Sequence, residues 1–333
     1  MKVLIAGGAG FIGSTVASAC LDAGLTPVIL DNLSTGRAEF VRDRIFYHGD
    51  IADGDLIDRI FAEHPDIEAA VHAAALIVVP ESVEQPLRYY RENVAKSIDL
   101  VDHLVRNGCG KLLFSSSAAI YRPGADFSVD ESSPLEPLSP YARSKALTEA
   151  ILDDAAQAHD LRVISLRYFN PIGADPALRT GLQIRQPTHV LGKLILAAEN
   201  GDTFTLTGTD WPTRDGSGIR DYIHVWDLAR AHVQALRRFE KVLPADGGKR
   251  YAVINVGTGT GITVRELLGA FEEVFGRPIP TVEAGRRPGD SPGCYARTER
   301  AGELLDWRPT LSVADGIRHS LRWSRLRDSV LRG

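Results

Sequence analysis

The sequence predicts an α/β protein, with a doubly wound parallel sheet in its first part and a smaller α/β domain in its second. Short apolar segments alternate with segments of helical periodicity over the first half of the 333 residues, which is typical of a parallel sheet. A glycine-rich turn follows the first apolar segment. Beyond about Asn170 the loops lengthen and the helices shorten. We therefore expect domains at 1–169 and 170–333, with part of 221–260 returning to the first.

The first strand–turn–helix unit carries a dinucleotide-binding pattern. Lys2 to Ala6 is predicted as a strand, and the spacing Gly8-x-Gly10-x-x-Gly13 follows it. Glycines at these positions allow a tight turn, close approach of the backbone to a pyrophosphate, and close packing of helix on strand. The helix N-terminus then faces the phosphates. The pattern predicts a Rossmann-type domain. Taken by itself, the motif is also explained by a glycine-rich turn that binds no ligand.

The second predicted strand favours NAD over NADP. Pro27 to Leu30 is apolar and ends at Asp31, 18 residues after Gly13. A carboxylate at this place accepts hydrogen bonds from the adenosine ribose hydroxyls and repels a 2′-phosphate. Arg37 lies nearby in the sequence and offers a competing interpretation, since its guanidinium suits a 2′-phosphate.

The following elements continue the alternation. We expect further strands at 44–48, 67–75, 111–115 and 161–167, and helices at 56–61, 84–107 and 141–159. Asp50 ends the third strand, where it meets the adenine amino group or caps a helix. Small residues at Ala73, Ala74 and Ala75 let the backbone lie against a cofactor. Asn93 is either a buried structural amide or a neighbour of the cofactor.

The second half has fewer regular elements. We expect a helix at 190–200, a strand at 203–206 and a strand–turn–helix at 221–239. The patterns Thr263-x-x-Glu266 and Ser312-x-x-Asp315 resemble capping boxes, in which the two side chains of a pair bond each other's backbone amides at the start of a helix.

Bulk composition narrows the classes of partner. The net charge is −5 without a block of like charge, so we expect no nucleic-acid partner. No apolar run reaches the roughly 18 residues of a membrane helix, and Met1 leads directly into a strand, without room for a signal peptide. Cys20, Cys109 and Cys294 are far apart, which favours a reducing cytoplasm. No metal-ligand spacing occurs.

A tyrosine and a lysine supply the candidate chemistry. Tyr141 and Lys145 are four residues apart on a predicted helix, so they share one face. The ammonium and a positive nicotinamide ring both lower the pKa of the tyrosine, whose phenolate then takes a proton from a substrate hydroxyl. Ser117, in the serine run after the preceding strand, orients that oxygen. Taken by itself, a tyrosine and a lysine at this spacing are more often two surface residues of an amphipathic helix. The glycine pattern, the serine run and Asp31 in the same chain make the catalytic interpretation the stronger one.

Eight segments, in order along nearly the whole chain, resemble the extended short-chain dehydrogenase/reductases and most closely their UDP-glucose 4-epimerase subfamily: GGAGFIG, DNLSTG, GDI, FSSSAAIY, SPYARSK, LRYFNPIGA, GxxRDYIHVWDLA and RRPGD. The resemblance implies tightly held NAD and epimerisation at C4 of a UDP-hexose through a transient 4-keto intermediate. It also implies a homodimer built on a four-helix interface.

The resemblance also assigns residues. Catalysis falls to Ser117, Tyr141 and Lys145. NAD contacts fall to Gly7, Gly10, Phe11, Ile12, Gly13, Asp31, Asn32, Ser34, Thr35, Gly36, Asp50, Ile51, Ala73, Ala74, Ala75, Asn93, Ser115, Tyr141, Lys145 and Phe169. UDP-sugar contacts fall to Ser117, Tyr141, Asn170, His189, Val190, Thr207, Arg220, Arg287, Asp290 and Cys294. The two arginines also make chemical sense, because planar cations bind a diphosphate bidentately.

Three positions distinguish this chain. Ile77 stands where the family has a lysine against the cofactor phosphates, so NAD is held less tightly or another cation substitutes. Thr188-His189 replaces paired asparagines, and His189 contacts the substrate or caps the next helix. Cys294 matches a bulky tyrosine of members restricted to UDP-glucose and UDP-galactose. A small residue leaves volume for an N-acetyl group at C2, so we also expect activity on UDP-GlcNAc and UDP-GalNAc.

Two alternatives remain open. The first is another nucleotide-sugar enzyme of the same family: a 4,6-dehydratase, or an epimerase of a uronic-acid or TDP-sugar. Dehydratases usually carry an acidic pair where this chain has Arg122-Pro123-Gly124. The second is a non-catalytic NAD-binding regulator, since fold does not fix function; the complete Ser117, Tyr141 and Lys145 set argues against it.

Overall fold

The computed structural model describes residues 1–287 and 289–331, so Pro288 of the RRPGD segment and the last two residues lie outside the described part. The strands are β1 Lys2–Ala6, β2 Thr26–Asp31, β3 Ile45–His48, β4 Ile67–His72, β5 Lys111–Ser117, β6 Ser128–Val129, β7 Arg162–Tyr168, β8 Asn170–Ile172, β9 Phe204–Thr207, β10 Ile219–Arg220, β11 Tyr222–His224, β12 Tyr251–Val256, β13 Ile262–Thr263, β14 Thr281–Ala284 and β15 Tyr295–Ala296. The helices are α1 Phe11–Asp22, α2 Gly54–Glu63, α3 Val79–Glu84, α4 Pro86–Tyr90, α5 Lys96–Arg106, α6 Pro140–Ala158, α7 Val190–Asn200, α8 Val225–Arg237, α9 Phe239–Val242, α10 Val264–Phe275, α11 Glu299–Leu305 and α12 Val313–Val330.

A seven-stranded parallel sheet forms the centre of the molecule, in the order β12-β7-β5-β4-β1-β2-β3. This confirms the expected doubly wound architecture. Strands with two covered faces need apolar side chains on both, and the sheet separates two buried apolar clusters accordingly. One contains Val3 and Ile5, and the other contains Leu4 and Leu30. The outer strand β12 comes from late in the chain and pairs with β7.

The single helix predicted over 84–107 is interrupted in the structure. Pro86 begins the new helix α4, because proline has no N–H to continue a helix but fits its first turn. A π-helical turn then occupies Arg91–Ala95 before α5 begins. It holds Asn93, whose amide bonds the backbone of Leu76. The local apolar spacing contained no sign of this distant partner.

Short strand pairs and helices make up much of the second half. The pairs are β8–β11, β9–β14, β10–β13 and β6–β15. A third apolar cluster, with Phe271 and Ile317 at its centre, lies among α7, α10 and α12. Both expected capping boxes are present, Thr263 with Glu266 and Ser312 with Asp315. Over the described ranges, no helix combines the length and the apolar character needed to cross a membrane.

Candidate active site

The turn between β1 and α1 forms a glycine cradle at the carboxyl edge of the sheet. Gly7 has φ +81°, and a Cβ on it would lie 2.5 Å from the amide nitrogen of Ala74. A Cβ on Gly13 would lie 2.2 Å from the carbonyl oxygen of Gly7. Gly10 precedes α1 without a capping side chain, which leaves the first amide N–H groups of the helix available to an anion. The cradle fits the pyrophosphate of a dinucleotide.

Asp31 lies at the end of β2 beside this cradle. Its carboxylate is 7% exposed and accepts hydrogen bonds from the amides of Ala9, at 2.9 Å, and Leu33, at 2.8 Å. Burial raises the pKa of this carboxyl. A Cβ on Gly36 would lie 2.8 Å from the Asp31 Oδ1 atom, so the loop containing Ser34 folds back onto the acid. The geometry suits an NAD ribose.

The adenine end of the candidate cofactor site has a polar cluster. The Asp50 Oδ2 atom accepts bonds from Lys96 Nζ, at 2.7 Å, and Asn32 Nδ2, at 3.1 Å. Burial raises the pKa of Asp50, but these bonds outweigh that effect and lower it. The helix cap expected as an alternative for Asp50 is supplied by Asp53 instead. Ile51 is buried in the apolar cluster below.

Backbone hydrogen bonds hold the alanines after β4, and Asn93 holds the residue that follows them. Ala73 donates its amide to the carbonyl of Ala6 at 2.9 Å. The Asn93 side chain accepts from the amide of Leu76 at 2.8 Å and donates to its carbonyl at 2.9 Å. It donates also to Ser144 Oγ at 3.0 Å. The amide is therefore engaged by the protein, and this geometry favours the structural interpretation of Asn93 over direct cofactor contact.

The candidate catalytic residues come together on α6 and β5. Ser139 caps α6 by accepting the amide of Ala142 at 3.1 Å, which places Tyr141 and Lys145 in the first two turns. Lys145 is 3% exposed and donates to the carbonyl of Ser115 at 2.8 Å. Ser117 lies two residues further along β5.

Burial and hydrogen bonding act oppositely on the tyrosine. Burial raises the pKa of Tyr141, and a hydrogen bond with Ser117 lowers it. Burial lowers the pKa of Lys145 to about 8, while the charge of Glu149 opposes this shift. Burial therefore favours the uncharged form of both side chains and moves their two pKa values apart. Buried titratable groups shifted in this way are typical of functional sites.

Cys294 and Phe169 border the catalytic groups on the other side. They pack in one small apolar cluster with Ala118, the residue after Ser117. Burial raises the pKa of the Cys294 thiol to about 12, so it is a neutral, space-filling group. Asn170 begins β8, and its backbone N–H donates to the backbone carbonyl of Asp221 at 2.9 Å.

The two candidate diphosphate arginines lie on neighbouring segments. Arg220 Nη1 donates to the carbonyl of Pro292 at 2.8 Å, which holds the loop before Cys294 against β10. Arg287 forms a two-bond fork with Asp290, at 3.0 and 3.1 Å. Thr207 closes β9 opposite Ala284 in the β9–β14 pair. Arg220 therefore binds the same loop that carries Arg287 and Asp290.

His189 caps the next helix. Its Nδ1 atom accepts the amide of Gly192 at 3.2 Å, and Val190 is the first residue of α7. Burial lowers the pKa of His189 to about 4, so the ring is neutral at pH 7. The Nε2 atom is buried without a hydrogen-bond partner in the described part of the chain. His189 therefore caps α7, as one of the two expected alternatives stated, and its Nε2 atom is left without a hydrogen bond.

Three polar residues near the candidate site were assigned no role in the sequence analysis, although Tyr168 and Tyr222 lie within two of the segments that carry the resemblance. Tyr168 pairs with Ser117 across β5 and β7; burial and the nearby charge of Tyr141 raise its pKa. Tyr222 pairs with Asn170, and its hydroxyl is buried without a partner among the described residues. Gln183 donates to the carbonyl of Thr35 at 2.8 Å. Their positions at the ends of strands were the sequence signal that could have indicated the two tyrosines. No sequence signal indicated Gln183.

Comparisons with known proteins agree with this geometry. The model of the NAD dependent epimerase/dehydratase family matches residues 3–257. A UDP-glucose 4-epimerase from Azospirillum brasilense is 44% identical over 328 residues, covering 97% of this chain and 92% of that protein. A UDP-glucose 4-epimerase structure from Stenotrophomonas maltophila, with bound NAD and formylated UDP-arabinopyranose, gives a TM-score of 0.92 at 34% identity and covers 99% of both chains. The UDP-Glc/GlcNAc 4-epimerase of Campylobacter jejuni gives 0.81 at 33% identity, covering 97% of this chain and 99% of that one.

Proposed function

The chain belongs to the NAD dependent epimerase/dehydratase family, and we propose that it is an NAD-dependent isomerase that inverts C4 of UDP-hexoses, interconverting UDP-glucose and UDP-galactose. One observation carries the proposal: Tyr141 and Lys145 are buried on one face of α6 beside the Ser117 end of β5, at the same sheet edge as the glycine cradle. Full-length similarity to UDP-glucose 4-epimerases supports it.

The protein residues divide the work of the reaction. The Tyr141 phenolate takes the proton of the C4 hydroxyl and later returns it, the Lys145 ammonium stabilises the phenolate, and Ser117 orients the reacting oxygens. NAD, which the glycine cradle and Asp31 would hold, would supply the redox chemistry as a reversible hydride acceptor at C4. Between these events the 4-keto sugar turns its other face to the site. Arg220 and Arg287 hold the UDP portion, so that the hexose can rotate about its diphosphate linkage.

The substrate range extends to N-acetylhexosamines under this proposal. Cys294 is small and lies in the apolar cluster beside Ala118 and Phe169. Space that a tyrosine ring would fill is left for an N-acetyl group at C2 of UDP-GlcNAc or UDP-GalNAc.

Assembly and setting form part of the same proposal. We propose a homodimer through α5 and α6, because Ile98 is 46% and Leu147 is 47% exposed on these helices. Light scattering on the purified protein measures the mass directly.

The three cysteines are unpaired, which supports a cytoplasmic setting. We also propose that residues 1–169 form the NAD-binding domain and 170–333 the substrate-binding domain, with part of 221–260 belonging to the first.

A direct assay tests the activity. The purified protein is incubated with UDP-galactose without added NAD, and UDP-glucose is expected as the product. Mass spectrometry of the purified protein is expected to show bound NAD. A 4-keto-6-deoxy product would identify a dehydratase, whereas bound NAD without turnover of any UDP-, TDP- or uronic-acid sugar would identify a regulator.

A further inference from the structure

A third charged side chain continues the catalytic face of α6. Glu149 follows Lys145 by four residues, as Lys145 follows Tyr141, and residues at this spacing share one face of a helix. All three are buried, with Glu149 only 5% exposed. A buried carboxylate is costly unless it is paired, so its place directly behind the catalytic residues requires an explanation.

Two strands of the central sheet hold the Glu149 carboxylate. Ser116 Oγ donates to Glu149 Oε1 at 2.5 Å. Arg167 forms a buried fork with it, with Nε 2.9 Å from Oε1 and Nη2 2.5 Å from Oε2. The Arg167 Nη1 atom donates to the Tyr121 hydroxyl at 2.9 Å, and that hydroxyl donates to Asn255 Oδ1 at 2.7 Å. The network joins α6 to β5, β7 and β12.

The register of the sheet places this network next to the reacting groups. Ser116 pairs with Arg167, and the next pair along the two strands is Ser117 with Tyr168. The Glu149 anchor therefore fixes α6 against the sheet one residue before Ser117. A shift of the helix at this point would move the Tyr141 hydroxyl relative to Ser117.

Glu149 is also the negative charge that acts on Lys145. Among the described residues, no other negative charge acts on the ammonium. On β4, His72 is neutral because burial lowers its pKa to about 3. On β7, Tyr168 is a phenol whose pKa burial raises, and Arg167 is positive. Charge interactions are stronger in a buried site than in water.

We propose that Glu149 is a positioning residue for the catalytic pair: with Arg167 as its counter-charge, it fixes α6 at the level of Ser117 and sets the pH range in which Tyr141 and Lys145 work. Its catalytic meaning rests on the proposed function above. The competing explanation is a structural ion pair without influence on the chemistry, which would change stability alone.

Two single substitutions distinguish the positioning role from a purely structural ion pair. Glu149→Gln keeps the shape and the hydrogen bonds accepted by Oε1, but its amide nitrogen cannot accept the bond from Arg167 Nη2, and the Arg167 charge is left uncompensated. Tyr141 and Lys145 titrate as a coupled pair, so both apparent pKa values of the kcat/KM profile with UDP-galactose are expected to fall, by about half a pH unit or more. Arg167→Met leaves the carboxylate without its counter-charge and is expected to move both values upward.

Ser116→Ala is the matched control, because it removes a hydrogen bond to Glu149 without changing any charge. We expect it to leave the pH profile unchanged. It also keeps the test decisive if Arg167→Met does not fold, since Glu149→Gln and Ser116→Ala then suffice. An unchanged profile in folded Glu149→Gln, or a shift of equal size in Ser116→Ala, would overturn the proposal.

A second readout does not depend on turnover. The phenolate of Tyr141 is titrated by ultraviolet difference absorbance in the NAD-loaded protein, with the same variant carrying Tyr141→Phe as the blank. The phenolate is expected to form at lower pH in Glu149→Gln than in the wild-type protein. If the wild type does not convert UDP-galactose, the proposed function fails, while this titration still decides the role of Glu149.

Discussion

The Sγ atom of Cys294 lies 4.0 Å from the carbonyl oxygen of Ala118. Ala118 directly follows Ser117, so the side chain at position 294 borders the space beside the proposed catalytic serine. The loop carrying Cys294 is fixed, since Arg220 binds the carbonyl of Pro292 and a Cβ on Gly293 would lie 1.9 Å from the carbonyl of Ile219. A larger residue at 294 therefore has to take its volume from the proposed sugar site.

Cys294→Tyr is expected to remove activity on UDP-GalNAc while keeping activity on UDP-galactose. A difference of one methylene group in a pocket already changes kcat/KM about 10- to 200-fold, and an N-acetyl group is larger, so a loss of at least this size is expected. The measurement is kcat/KM for both substrates, with Cys294→Ala as the control that keeps the space open. Equal kcat/KM values on UDP-GalNAc before and after Cys294→Tyr would show that this position does not limit the substituent at C2.

Tyr141→Phe is expected to lower kcat with UDP-galactose by a factor of about 10² to 10⁴, the usual contribution of a general acid–base group. The ring is buried, so its packing survives loss of the hydroxyl. NAD content and thermal unfolding serve as controls and are expected to stay near the wild-type values. Turnover at the wild-type rate would exclude the phenol from the reaction.

Ile77→Lys is expected to tighten NAD binding. The side chain at this position is 61% exposed, so a lysine costs little in stability, and the family resemblance places it against the cofactor phosphates. An exposed charge pair contributes up to about 1 kcal/mol, which corresponds to about a fivefold lower Kd. Retention of NAD during dialysis measures the effect. Ile77→Gln, of similar length without charge, is expected to leave retention unchanged; equal retention in the lysine variant would contradict the assignment.

Lys145→Met is expected to remove one component of the pH dependence of stability. Burial lowers the pKa of Lys145 to about 8, against about 10.4 in an unfolded chain. Between these values the unfolded state binds more protons, so this group makes the free energy of unfolding rise with pH. The wild type should gain up to about 1.4 kcal/mol per pH unit relative to Lys145→Met across this window. Urea unfolding at several pH values measures the difference, and parallel curves would show that the lysine is not perturbed.

Local features of the site were predictable because the residues that make them are neighbours in the chain. The spacing of the glycine turn, the place of Asp31 at the end of β2, and the Ser139 cap before Tyr141 each depend on short stretches of sequence. Other features join distant segments. Asn93 interrupts a helix to reach Leu76, Gln183 binds Thr35, and Glu149 meets Ser116 and Arg167. Periodicity and spacing record the apolar face of one element but not which polar group of another element it meets.

The position of β12 at the edge of the sheet has a consequence for synthesis. Residues Tyr251–Val256 complete a sheet whose other six strands end at Tyr168. Until the ribosome has released that late strand, the outer backbone of β7 is unpaired, and open strand edges recruit other chains. A nascent chain stalled in α8 would therefore expose this edge next to Arg167 and Tyr168, and premature termination there is expected to yield aggregates rather than a free-standing cofactor-binding fragment.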